Sequence, residues 1–131
     1  MRPRRFDILA TDLDGTLLTA DHRLPDRTIG RLRAAQARGV TVILCSARQP
    51  QPIRTYRLQA GLEAPYIAYS GALILDRDDR ELAYWPVPAD VGAVVLDAVR
   101  EIAPADEVSV YLYIREQWYV ERIDEKVHIE A

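Results

Sequence analysis

Lysine is nearly absent from this chain. Sixteen of the seventeen basic residues are arginine and Lys126 is the one exception, so chemistry that needs an ammonium group has a single place to find it. Cysteine is as scarce: Cys45 has no partner for an internal disulfide, which suits a reducing compartment and makes the cytoplasm the expected location. Positive charge is not in excess either. With 17 basic against 20 acidic residues the net charge is −3, so the broad positive field that gathers DNA or RNA is missing and no nucleic-acid partner is expected. No apolar run approaches the length that spans a bilayer, and the basic opening Met1-Arg2-Pro3-Arg4-Arg5-Phe6 is soon interrupted by Asp7 and Asp12, so neither export signal nor membrane anchor is read. A glycine-rich run closing in Gly-Lys-Ser/Thr is also lacking, which removes nucleotide binding of the P-loop type. What remains is 131 residues, 49% hydrophobic and 28% charged, the balance of one soluble globular domain with a core.

The order of patterns predicts an α/β fold. Phe6 to Thr11 is a short, mainly apolar run ending in acids and a glycine, as a strand buried on both faces of a parallel sheet would. From Pro25 to Arg38, Ile29, Leu32 and Ala35 share a helical face, with Asp26 at the positive end and Gly39 where a cap belongs. Val40 to Cys45 follows, rich in β-branched residues, so strand, helix and strand form a right-handed crossover. A second helix is expected from about Pro52 to Ala60, then a third strand at Tyr66–Tyr69. Ala72–Leu75 and Leu82–Trp85 flank a charged hairpin tip whose acids are expected to be solvated. Beyond Pro86 and Pro88 a helix runs toward Pro104, with Val91, Val94, Val95, Ala98 and Ile102 at helical spacing. An antiparallel hairpin around Arg115-Glu116-Gln117 follows, leaving an edge and a face uncovered. The reading is therefore a Rossmann-like parallel-sheet core over residues 1–85 and the beginning of a smaller α+β unit over residues 86–131.

Chemistry concentrates in Thr11-Asp12-Leu13-Asp14-Gly15-Thr16-Leu17, at the carboxyl end of the first strand, where open α/β sheets bind ligands. Asp12 and Asp14, one residue apart, can converge on one cation, and Gly15 permits the unusual turn this needs. Bound Mg2+ would offset their repulsion, keeping one acid ionised as a nucleophile while the other carries a proton. The alternative is a pair of solvated loop acids or helix caps. An EF-hand is excluded, because the places that need glycine and glutamate, counted from Asp12, hold Leu17 and Arg23. Cys45 is read as packing and His22 as a surface residue; His128 carries no supporting motif. Tyr111, Tyr113, Trp118 and Tyr119 could wall a substrate or simply pack on a half-buried sheet.

Phe6 to Leu18 resembles the first motif of the haloacid dehalogenase superfamily of phosphatases, in its Cof-type branch. Leu44-Cys45-Ser46-Ala47-Arg48 is similar to that branch's second motif, with Ala47 in place of the usual glycine. Tyr69-Ser70-Gly71-Ala72 is similar to its asparagine-glycine-alanine, with Ser70 in place of asparagine. The resemblance implies that Asp12 attacks phosphorus to form an aspartyl-phosphate and that Asp14 serves the leaving group and then water. It implies Mg2+ held by the Asp12 side chain and the Asp14 backbone carbonyl. It further implies phosphate cradled by the Leu13 amide, the Ser46 hydroxyl and the Ala47 amide, with Arg48 near the substrate, a small phosphorylated metabolite. Leu17 through Leu24 resembles the family's flap, turning around Ala20-Asp21.

The family also uses a later lysine and a glycine-aspartate motif. Lys126 follows the second hairpin too closely to match the first, and Asp124 and Glu125 lack the pattern of the second. The expectation is a hydrolase truncated inside its cap, binding Mg2+ weakly and turning over little. Two other readings stand beside it: a non-catalytic module that self-associates through the incomplete cap, and a phospho-acceptor receiver. The receiver fits less well, since its aspartate would follow a later strand and it needs a core lysine.

Overall fold

The computed structural model describes residues 6–104, 106–123 and 127. The chain divides into two compact units between Trp85 and Pro86. In the first, β1 (Ile8–Asp12), α1 (Asp26–Ala37), β2 (Thr41–Cys45), α2 (Pro50–Ala60), β3 (Tyr66–Ala68), β4 (Leu73–Leu75) and β5 (Glu81–Tyr84) follow one another. The strands form one sheet in chain order, β1 to β5. The pairs β1–β2 and β2–β3 are parallel, and β3–β4 and β4–β5 antiparallel. The register sets Asp12 beside Cys45, so the two strands that carry the motifs end level with one another.

Local chemistry explains the helix ends. Pro25 stands at the amino cap of α1 with Asp26 in the first turn, where a carboxylate meets the helix dipole. α2 begins at Pro50, two residues earlier than the prolines suggest, because Pro50 and Pro52 both fit a first turn whose amides need no intrahelical partner. It ends at Gly61 in the left-handed conformation (φ 65°). There Arg33 of α1 donates from Nε to the Ala60 carbonyl (2.9 Å) and from Nη2 to that of Gln59 (3.0 Å). Gln36 donates to the Gly61 carbonyl (3.0 Å) and accepts from the Glu63 amide (3.1 Å). These bonds satisfy carbonyls that a helix end leaves without partners.

Leu13, Leu44, Ile53, Tyr66 and Leu73 are fully buried in the core, each worth about 2 kcal/mol of transfer free energy. Beta-1 departs from expectation. It is not buried on both faces: Ile8 is 62% and Leu9 41% exposed. The reason is its position at the outside of the sheet, where β2 covers one edge and no described strand covers the other.

The second unit holds α3 (Ala89–Ile102) and the antiparallel pair β6 (Tyr111–Ile114) and β7 (Gln117–Val120). Within it Trp118 stacks on Tyr113 at 6.0 Å between centroids and meets Tyr111 edge-on at 5.5 Å. Arg100 of α3 pairs with Glu121. Val91, Val94, Val95 and Ile102 of α3 are exposed. Lys126, Asp124, Glu125 and His128, weighed above, lie outside the described residues, as do residues 1–5 of the basic opening.

The hairpin tip is not merely solvated. Asp79, held at φ 64°, accepts from the Tyr66 hydroxyl (2.7 Å). It also sits 2.8 Å from Arg54 Nε, close but poorly aligned, so that this contact is ionic. Arg57, itself buried, lies 3.8 Å away and over the Tyr66 ring. Burial works against charge on Asp79, yet the Tyr66 hydroxyl and the Arg54 and Arg57 guanidinium groups hold its carboxyl below the ordinary range. Burial, reinforced by Asp79, pushes the Tyr66 phenol up to about 12. The contribution of Asp79 to stability is thus complete above the ordinary carboxylate range and disappears as pH falls through its depressed folded pKa. Asp79→Asn is expected to cost about 1–2 kcal/mol at neutral pH, discounted for a carboxylate one-third exposed. Denaturant unfolding should show the difference shrinking as pH falls below the ordinary carboxylate range.

Candidate active site at the carboxyl edge of the sheet

Beta-1 delivers Asp12 as its last residue, and the chain then makes one wide turn, Leu13–Leu17, closed by the Leu18 amide donating to the Leu13 carbonyl (2.9 Å). Leu13 is buried, so its side chain anchors the turn in the core while the flanking acids stay at the surface. Gly15 sits at φ 69°, a conformation that would strain any residue with a Cβ although space around it is open. The turn thus points two carboxylates outward within three residues.

Asp12 is exposed, and among the described residues its carboxylate has no hydrogen bond or ion pair. Asp14 is engaged. Arg48 donates from Nε to Oδ2 (2.8 Å) and from Nη2 to Oδ1 (2.6 Å), a two-pronged pair between residues 34 apart in sequence. These hydrogen bonds, opposed by partial burial and aided by the charge of Arg48, hold the Asp14 carboxyl below the ordinary carboxylate range.

Beta-2 ends level with β1, and Ser46 follows it, buried. Its backbone is locked from both sides: its amide donates to the Ile67 carbonyl (3.0 Å) and its carbonyl accepts from Ser70 (3.0 Å). The Ser46 hydroxyl accepts from the Arg48 amide (3.1 Å), which leaves its own proton to donate. Ala47 is exposed between them. The Tyr69 amide closes the loop onto the Arg48 carbonyl (3.1 Å). Tyr69 and Ser70 both carry positive φ (51° and 53°), before Gly71 at 107°. Strained backbone of this kind persists only where surrounding bonds hold it. Burial, reinforced by the Asp12 charge, pushes the Cys45 thiol up, consistent with packing rather than nucleophilic use.

The site residues read from sequence therefore fall on two adjacent strand ends, and Arg48 is tied directly to Asp14. Sequence reasoning missed His22. It is exposed, as expected of a surface residue, but it occupies a tight turn closed by Thr19 N–H to the Arg23 carbonyl (3.0 Å). From there its Nδ1 lies 3.0 Å from Arg48 Nη2 and 3.5 Å from Asp14 Oδ1. Tyr56 of α2 was missed as well; its hydroxyl donates to the His22 carbonyl (2.7 Å). His22 lies in the flap-like Leu17–Leu24 segment but nothing there singles it out, Tyr56 carries no motif, and both act across more than twenty positions, so no local spacing marks them.

The donor set suits a hard, hydrated cation in part. Asp12 offers carboxylate oxygens that have no partner among the described residues, and Mg2+ is commonly held by one or two carboxylates with several waters retained. Among the described residues no three His, Cys, Asp or Glu side chains gather into a cluster that could hold a metal alone.

Comparison with known proteins agrees with this geometry. The family of haloacid dehalogenase-like hydrolases matches residues 9–131. A putative phosphatase of Haemophilus influenzae is 30% identical over 118 residues, 89% of this chain and 42% of its own length. An HMP-PP phosphatase of Serratia proteamaculans is 28% identical over 116 residues, 88% of this chain and 41% of its own. A haloacid dehalogenase-like hydrolase from B. subtilis superposes with a TM-score of 0.80 at 20% identity, covering 93% of this chain and 41% of that one, a likeness of fold. The chain thus spans less than half the length of these relatives.

The Arg48–Asp14 pair makes a direct prediction. Arg48→Gln removes the charge and the fork of donors, so the Asp14 carboxyl pKa should rise toward the ordinary value. Side-chain 13C titration by NMR, with Asp14→Asn to assign the signal, reads the shift; an unmoved pKa would assign the depression to another cause.

Proposed function

The chain belongs to the haloacid dehalogenase-like hydrolases, and from that premise we propose that it carries the nucleophile half of a Mg2+-dependent phosphohydrolase acting on small phosphorylated metabolites. The observation that carries this reading is the parallel register that sets Asp12 beside Cys45, so that Asp14, in the turn after β1, and Ser46, directly after β2, follow neighbouring strand ends. The relatives named as phosphatases support the reaction class.

In this reading a carboxylate oxygen of Asp12 attacks phosphorus. A bond from Asp12 to phosphorus forms as the ester P–O bond breaks, and Asp14 gives its proton to the departing oxygen. Asp14, now ionised, takes a proton from water as the water oxygen attacks the aspartyl-phosphate. The acyl P–O bond breaks, freeing inorganic phosphate and the Asp12 carboxylate. The Leu13 amide, the Ser46 hydroxyl and the Ala47 amide serve as neutral donors to the phosphoryl oxygens, suited to a place that already holds two acids. The Asp12 side chain and the Asp14 backbone carbonyl would hold Mg2+, whose charge when bound offsets the repulsion between a carboxylate and a phosphate dianion.

Arg48 has two tasks in this scheme. Paired with Asp14 it balances a carboxylate, but Asp14 can carry a proton only once that pair opens. A phosphate ester, doubly charged and rich in acceptor oxygens, is the anion able to draw the guanidinium away. Residues 86–131 begin a cap that chooses the substrate, and the cytoplasm is the proposed location. The exposed valines of α3 favour a second reading, a self-associating module, which light scattering above monomer mass would support.

Acetyl phosphate with Mg2+ tests the reaction without requiring complete turnover. Mass spectrometry should find one hydroxylamine-sensitive phosphoryl group on the peptide containing Asp12, lost in Asp12→Asn and dependent on the metal. A stable adduct elsewhere would favour a receiver, and labelling unaffected by Asp12→Asn would overturn the proposal.

A further inference from the structure

His22 is tied at its amide, its carbonyl and its ring. Its amide donates to the Thr19 carbonyl (2.9 Å), its carbonyl accepts from the Tyr56 hydroxyl (2.7 Å), and its ring faces Arg48 and Asp14. Its backbone sits at φ 54°, a left-handed conformation that an L side chain adopts at some cost and that histidine tolerates better than most. An ordinary surface turn needs no such residue; asparagine or glycine would serve.

Arginine has donors and no acceptor, so the short contact between Arg48 Nη2 and His22 Nδ1 requires that Nδ1 present its lone pair. Nη2 carries two hydrogens. One goes to Asp14 Oδ1 at 2.6 Å, and the other reaches His22 at 3.0 Å. The ring also lies 3.5 Å from Asp14 Oδ1, and the shorter of its two contacts is the one to the arginine.

We propose that His22 is a positioning residue of the site: its Nδ1 accepts from Arg48 and, with Asp14, fixes the guanidinium in one orientation, while Tyr56 holds the His22 backbone in the turn that makes this possible. The role deepens the phosphohydrolase reading, which it needs for the meaning of Asp14. A flexible arginine could meet Asp14 in several ways; one tethered at two points presents the same fork each time. The tether also links the 19–23 turn to α2 and to the loop after β2, so the rim of the site is built from three stretches of chain rather than one.

The test observes Arg48 itself in the whole chain and needs no turnover, so its failure is separate from that of the aspartyl-phosphate reading. The Arg48 Nε–H signal, assigned in 15N-resolved NMR by its loss in Arg48→Lys, should exchange slowly with solvent. His22→Gly keeps the left-handed turn without strain but removes the acceptor, and exchange should quicken about tenfold, the factor carried by one hydrogen bond to a charged group. His22→Asn tolerates the same backbone and places an oxygen near the site of Nδ1, so exchange should return toward the wild-type rate. Wild-type exchange in His22→Gly would overturn the proposal. So would equal loss in both variants, which would assign the effect to the turn and not to the ring acceptor.

Discussion

The two-pronged ion pair between Arg48 and Asp14 is the interaction around which the rim of the sheet is organised. Asp14 is quieted by a guanidinium brought from the end of the neighbouring strand, at 2.6 and 2.8 Å. Asp12 is left without a protein partner among the described residues. The asymmetry gives two chemically identical side chains different environments, one ion-paired and one open. It depends on parallel pairing: with Asp12 beside Cys45, Arg48 emerges near enough to reach back to Asp14.

The surroundings of Arg48 show how a polar site is kept in order without a large core. Its amide rests on the Ser46 hydroxyl, its carbonyl accepts from Tyr69, and its guanidinium spans Asp14 and His22. Tyr69 and Ser70 bear left-handed backbone to make their bonds to this loop, and His22 bears it to make its own. Left-handed backbone at the candidate site is held by these bonds, as it is at Asp79 on the hairpin tip, while α1 and α2 close with capping bonds. The Asp79 cluster on the hairpin tip repeats the device for a structural purpose, using Arg54, Arg57 and Tyr66 to fasten a turn.

Much of the fold could be read from pattern alone. The alternation of β-branched runs with helical periodicity located β1, α1, β2 and α2 to within about two residues, and glycines marked the ends at Gly39 and Gly61. The burial of β1 was misjudged, because periodicity reports what a strand could bury and not whether a neighbour covers it. The acids of the hairpin tip were misjudged for a related reason: Asp79 finds its partners on α2 and β3, from which it is separated by more than ten residues.

From the order of its residues alone this chain settles an α/β pattern, the acid pair with its permissive glycine, and a kinship that accounts for both. Those are local properties, set by the chemistry of neighbours and by side-chain period. Folding decides which acid is paired and which is open, that Arg48 reaches Asp14, and that His22 and Tyr56 join them. Such contacts bridge stretches 26 to 34 residues apart, and only the packing of strand against helix brings them within hydrogen-bond reach.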